Sequence, residues 1–180
     1  MKKNLIALLI VALVAVGLFA ANPTDSFTVT TSISGINNMK VTTTAVGTDN
    51  KTYSDLSGFS NYAINSASDL SPETAIAYLS TQTNNRNGYK ISLTVTAMKS
   101  TLTGGNDSYI NYTIFLADDT DGQVTDDGTA KTKSNVIQQG ALTGLSEKSY
   151  PIKITVDADE YAAAVEGSYT GTVTFNYVAN

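Results

Sequence analysis

The residues able to do chemistry in this 180-residue chain are almost all carboxylates. Sixteen Asp and Glu stand against eleven Lys and Arg, and Cys, His and Trp are absent. Without thiol or imidazole the chain has no Cys or Ser-His nucleophile, no thiolate or imidazole metal site and no histidine switch. The densest acidic run is Asp118-Asp119-Thr120-Asp121-Gly122 with Asp126-Asp127-Gly128 beyond it, five Asp in ten residues. Its oxygens are of the kind Ca²⁺ takes. The EF-hand spacing fails, because counting from Asp119 the obligatory Gly position holds Val124 and the bidentate Glu position holds Ala130. Residues 118–128 are therefore expected to be a mobile, solvated connection without a tight metal site. Asp157 with Asp159 or Glu160 has the composition of a glycosidase pair, but that chemistry needs two carboxyls facing across a sugar, and a short helical turn is the simpler reading. No catalytic residue, metal or cofactor is expected, so the sequence reads as non-enzymatic. A net charge of −5, more negative once Lys2 and Lys3 are removed, leaves no basic footprint for nucleic acid or an anionic membrane surface.

The N-terminus has a different composition. Met1-Lys2-Lys3 is basic, Leu5 to Phe19 is apolar and uncharged, and Ala20-Ala21 precedes the polar Asn22-Pro23-Thr24-Asp25. This order predicts a secretory signal peptide over residues 1–21 and a single mature domain over 22–180. The protein is then exported to the cell surface, periplasm or exterior, and its only membrane contact is the signal peptide. A cysteine-free domain in such a compartment is held by its core and sheet ladders alone.

Period-two alternation gives the class. Ile91, Leu93, Val95 and Ala97 alternate with Lys90, Ser92, Thr94 and Thr96, which predicts a strand with one buried face. Ala75, Ala77 and Leu79 run just upstream, and the intervening Asn84-Asn85-Arg86-Asn87-Gly88 ends in Asn-Gly, so the two runs are expected to pair as a hairpin. Further strands are expected over Tyr109–Leu116, Tyr150–Val156 and Tyr169–Tyr177, with Pro151 marking an edge or a strand start. Phe27-Val29-Thr31-Ile33 and Met39-Val41-Thr43 are weaker copies of the pattern. Ten Tyr against five Phe suit a half-wet sheet, with ring packing the expected use of the tyrosines. The sequons at Asn50, Asn106 and Asn111 are read as ordinary turn and strand asparagines. About seven strands divided by Gly-, Asn- and Asp-rich turns predict an all-β fold, an Ig-like antiparallel β-sandwich.

The C-terminal part, Ile110-Asn111-Tyr112-Thr113-Ile114-Phe115-Leu116, an acidic loop, then Glu166-Gly167-Ser168-Tyr169-Thr170-Gly171-Thr172-Val173-Thr174-Phe175, resembles the "Y-x-I-x-L-x-D … G-x-Y-x-G-x-V-x-F" layout of chaperone-usher pilin-like domains, including the spore coat protein U group. Asn85-Arg86-Asn87-Gly88-Tyr89-Lys90-Ile91 is similar to their turn into a central strand. The resemblance covers roughly residues 75 to 180. It implies a fimbrial, pilin-like structural role at the cell surface, with self-association or a periplasmic chaperone as partner through strand addition. Many members carry a disulfide that this chain lacks. The pattern ends three residues after Tyr177, so a last strand of the scheme is expected to be missing, leaving an open ladder edge beside an apolar groove. Phe27, Val29, Thr31 and Ile33 have the alternation of the strand that fills such a groove, either donated to a neighbour or inserted into their own domain. A pilus-like or coat-like subunit joined by strand exchange and a monomeric, self-closed binding or adhesin module are both compatible with the sequence.

Overall fold

The computed structural model describes residues 27–101, 107–117, 119–125 and 128–180, without the side chains of 101 and 119–125. Residues up to Ile33 group apart from the compact unit Ser34–Asn180, which carries the fold. Among the described residues, that unit has ten strands and one short α-helix: β1 (Asn37–Thr42), β2 (Ala77–Thr83), β3 (Tyr89–Val95), β4 (Met98–Thr101), β5 (Asp107–Ile110), β6 (Tyr112–Leu116), β7 (Asp119–Thr125), β8 (Lys131–Gln139), β9 (Ser146–Val156), α1 (Ala158–Ala163) and β10 (Val173–Ala179).

All named strands pair antiparallel, in a five-stranded sheet β1-β2-β9-β6-β7, a three-stranded sheet β10-β3-β8 and the small pair β4-β5. The protein is an all-β antiparallel sandwich, as the alternation required. β3 alternates without a fault: Tyr89, Ile91, Leu93 and Val95 are buried, and Lys90, Ser92 and Thr94 are half-exposed. They meet Ala77 and Leu79 of β2, Ile152, Ile154 and Val156 of β9, and Tyr112, Ile114 and Leu116 of β6 in one core. Leu93 has no exposed surface, so Leu93→Ala is expected to cost about 2 to 5 kcal/mol, read from the urea midpoint at unchanged m-value.

Four expectations need correction. First, β2 and β3 do not pair. Both edges of β2 are already taken, by β1 and β9, and residues 84–88 carry the chain from one sheet to the other. Gly88, at φ +81°, makes that turn, its N–H donating to the Asn85 carbonyl at 3.1 Å. Asn-Gly thus marked positive φ correctly but joined the wrong layers.

Second, Pro151 lies in the middle of central strand β9, opposite Tyr78. Its carbonyl accepts from Ala117 N at 2.9 Å. The N and C=O of a strand residue point the same way, so the missing donor faces the side where β6 has just ended at Leu116, not the β2 ladder.

Third, Tyr109–Leu116 is two strands. Asn111 breaks the run because its main chain is diverted to α1: its N–H and Nδ2 donate to the Glu160 carboxylate at 2.6 and 3.0 Å, and its carbonyl accepts from Asp157 N at 2.9 Å. Asp157 caps the helix by accepting from Asp159 N and Glu160 N. The suspected carboxylate pair is thus occupied in local structure.

Fourth, part of the acidic stretch is ordered. Asp119–Thr125 is β7, pairing with β6 through Thr113↔Thr125, Ile114↔Val124 and Leu116↔Asp119. Asp118, Asp126 and Asp127 lie outside the described residues. No strand signal was visible there because β7 is a polar edge strand, where alternation is weakest.

Residues 44–57, unassigned by periodicity, cover the outer face of the larger sheet. Tyr53 and Leu56 are buried there, Lys40 Nζ sits 4.5 Å from the Tyr53 ring centre, and Ser80 Oγ links Thr42 Oγ1 at 2.8 Å and Ser149 Oγ at 2.7 Å.

Candidate functional site, the groove beside the last strand

β10 pairs with β3 on one side only. The carbonyl of Thr172 accepts from Thr96 N at 3.0 Å and Asn180 N donates to the Gly88 carbonyl at 3.0 Å, so the even-numbered residues point their main-chain groups at β3. Those of Val173, Phe175, Tyr177 and Ala179 therefore point away from it, along an edge where no described strand pairs. An unpaired edge of this length is a template for another strand.

Two of these residues, Val173 and Phe175, line the groove. The side chains of Val173, Phe175 and Tyr177 turn inward and are half-buried, while Val178 faces out and is 51% exposed. Between β10 and the larger sheet lies a groove of about 420 Å³, floored by Val41, Ile76, Ala77, Ile114, Ile152 and Ile154 and bordered by Phe59, Tyr62, Ile64, Met98 and Tyr169. Its wall is set by Gly171, where a Cβ would stand 2.8 Å from the Thr96 carbonyl and 3.0 Å from the Tyr112 hydroxyl. A methyl at that point would push β10 off its neighbours.

One end of the groove is closed by polar contacts between the sheets. Tyr177 Oη donates to Asn37 Oδ1 at 2.9 Å and lies 3.1 Å from Thr83 Oγ1, and the Tyr177 ring stacks on Tyr89 with centroids 4.9 Å apart. Tyr89 Oη then meets Thr81 Oγ1 at 3.1 Å and Tyr150 Oη at 2.9 Å. Burial, with the Tyr89 hydroxyl beside it, raises the Tyr150 phenol well above its ordinary value, so it stays neutral and available to the network. These tyrosines pack and bridge the sheets; Tyr109, at 40% exposure, is more open than Tyr89, Tyr112, Tyr150, Tyr169 and Tyr177.

The opposite end is bordered by residues 59–65. Phe59 N donates to the Val41 carbonyl at 2.9 Å, fastening this segment to the outer edge of β1. Beyond it Asp69 holds the chain, its Oδ2 accepting from Asn65 N at 2.9 Å, Ser66 N at 2.8 Å and Ser66 Oγ at 2.9 Å. These bonds favour the carboxylate and lower the Asp69 pKa below its usual 3.8. A depressed folded-state pKa stabilises above the unfolded value and is lost as pH falls through the folded one. The Asp69 turn is expected to keep its amide protection at neutral pH and to lose it only below about pH 4, as followed by carboxyl and amide NMR titration.

The donor residues expected from sequence form no strand. Phe27, Val29 and Ile33 are 88, 81 and 84% exposed, Thr31 is exposed with them, and residues 27–36 belong to no strand. Sequence inspection missed Phe59, Tyr62 and Ile64. The available signal was the spacing of Tyr62 and Ile64 in an otherwise polar stretch. Among the described residues no group of three or more His, Cys, Asp or Glu is placed to hold a metal ion, and no helix is long and apolar enough to cross a membrane. No protein-family model and no curated protein matches the chain.

Proposed function

We propose that this protein is an exported, non-enzymatic structural subunit of a pilus-like or coat-like surface assembly, whose copies join by β-strand exchange. The observation that carries the reading is the pairing of two features in one place: the outward main-chain groups of Val173, Phe175, Tyr177 and Ala179, and the apolar groove of about 420 Å³ beside them. An added strand satisfies both at once, through ladder bonds and alternate side-chain pockets. The complementary feature is the exposed, alternating Phe27, Val29, Thr31 and Ile33 of the same chain, large apolar groups that a solitary subunit leaves in water. A periplasmic chaperone's strand fits the same edge before assembly. The leader-like first 21 residues place the assembly outside the cytoplasm in this reading.

Light scattering after size exclusion tests it on the chain beginning at Asn22. Multimers are expected that disappear when residues 22–34 are deleted. A monomer at every concentration, with and without those residues, would favour the self-closed binding module.

A further inference from the structure

The segment 60–64 borders the groove in an unusual way. Burial alternates along it, with Tyr62 and Ile64 half-buried against the core and Asn61, Ala63 and Asn65 exposed, which is the pattern of a strand. It has no ladder. Among the described residues, no main-chain N–H or C=O of 60–64 bonds another group, while its flanks are tied down at Phe59 to β1 and at Asn65 to Asp69. Apart from the Tyr62 hydroxyl, which donates to the Asp69 carbonyl at 2.9 Å, the span is held in place by apolar burial alone. It also fills its site poorly, since about 420 Å³ of groove remains beside it. Atoms facing a void lack contacts that a better-fitting occupant supplies.

We propose that residues 60–64 are a displaceable cover: Tyr62 and Ile64 shield the groove in the free subunit and are expelled when a second copy's strand joins β10. The inference rests on the strand-exchange reading. A strand laid on β10 runs about 4.8 Å from it, and its inward side chains fall where Tyr62 and Ile64 now border the groove. The incoming segment gains ladder bonds that 60–64 does not have, so the exchange is downhill. The fixed flanks keep the expelled span short and able to return. A device of this kind keeps the apolar groove from being bare before assembly while leaving it open to the correct strand.

The test uses the chain from Asn22 carrying Val29→Asp, so that its own donor does not compete, and a synthetic peptide of residues 24–35. Amide hydrogen exchange follows β10, and the initial rate of chymotrypsin cleavage after Tyr62 follows the cover. The peptide is expected to protect the Val173, Phe175 and Tyr177 amides and to speed cleavage after Tyr62 by about tenfold or more, because cleavage tracks the population of the opened segment. Protection of β10 with unchanged or slower cleavage after Tyr62 would overturn the cover and leave strand exchange standing. Absence of β10 protection would overturn strand exchange and the cover with it. As a second measure, Ile64→Ser, checked for an intact fold by unchanged exchange in β3, is expected to take up the peptide about tenfold faster; an unchanged rate counts against the cover.

Discussion

Val29→Asp is expected to abolish assembly while leaving the subunit folded. In the wild-type chain Val29 is 81% exposed and belongs to no strand, so a charge there costs the free subunit almost nothing. In a joined pair the same side chain enters an apolar groove floored by Ile114, Ile152 and Ile154. There the valine is worth about 1.5 to 3 kcal/mol of burial, and an unpaired carboxylate reverses that sign and adds the loss of its water. The outcome is read as loss of every multimer in light scattering at unchanged melting temperature. A fall of several degrees in melting temperature without change of mass would instead assign residues 27–33 to their own groove, and no change in either would leave them as a tail with no part in joining.

Among the described glycines, Gly88→Ala should be the most damaging added methyl. A Cβ there would stand 2.0 Å from the Gln139 carbonyl oxygen and 2.4 Å from that of Gly140, both main-chain atoms, and φ is +81°. The turn is also tied on both sides, by Gly88 N to Asn85 O and by Asn180 N to Gly88 O. Relief of the clash must separate β3 from the end of β8 or lift the last residues of β10. The loss is expected to be on the order of 4 kcal/mol, with a clear fall in the denaturant midpoint. Gly140→Ala, with nothing within 4 Å of its added methyl, is the control expected to be near neutral.

What could be read from sequence follows from what makes a strand visible. β3, β9 and β10 each have one wet and one dry face, so their alternation survives as a pattern in Ile91-Leu93-Val95, Ile152-Ile154-Val156 and Val173-Phe175-Tyr177. The pairing of strands was not visible in the same way. Asn87-Gly88 states that a backbone turns with positive φ, but whether the turn closes a hairpin or crosses between layers depends on which ladder edges are already filled, and β2 fills its edges with strands 35 and more residues away. The break at Asn111 is imposed by Glu160, 49 residues later, so no local window contains its cause. An open edge beside an apolar groove was an expectation from the C-terminal layout; among the described strands β10 pairs with β3 alone. The groove's border at Phe59, Tyr62 and Ile64 was hidden because an alternation of only two apolar residues between polar neighbours does not stand out from chance.

The bond from Tyr177 to Asn37 joins positions 140 residues apart, and Val46 N to Ser149 Oγ joins positions 103 apart. Contacts so distant along the chain require large loops to close before they return any stabilisation, which places this sandwich among slow folders, in the range of milliseconds to seconds. The side of the molecule where β1 and β10 meet can form only after β10 has been synthesised, because its floor is drawn from residues between Val41 and Ile154 and its wall from the last strand. Until β10 docks, the apolar floor is left uncovered on that side, at the same time as a neighbouring copy presents Phe27, Val29 and Ile33 in water. In the proposed assembly, premature coupling at high local concentration follows from the order in which the chain is made, and the speed with which β10 docks onto β3 sets how much of it occurs.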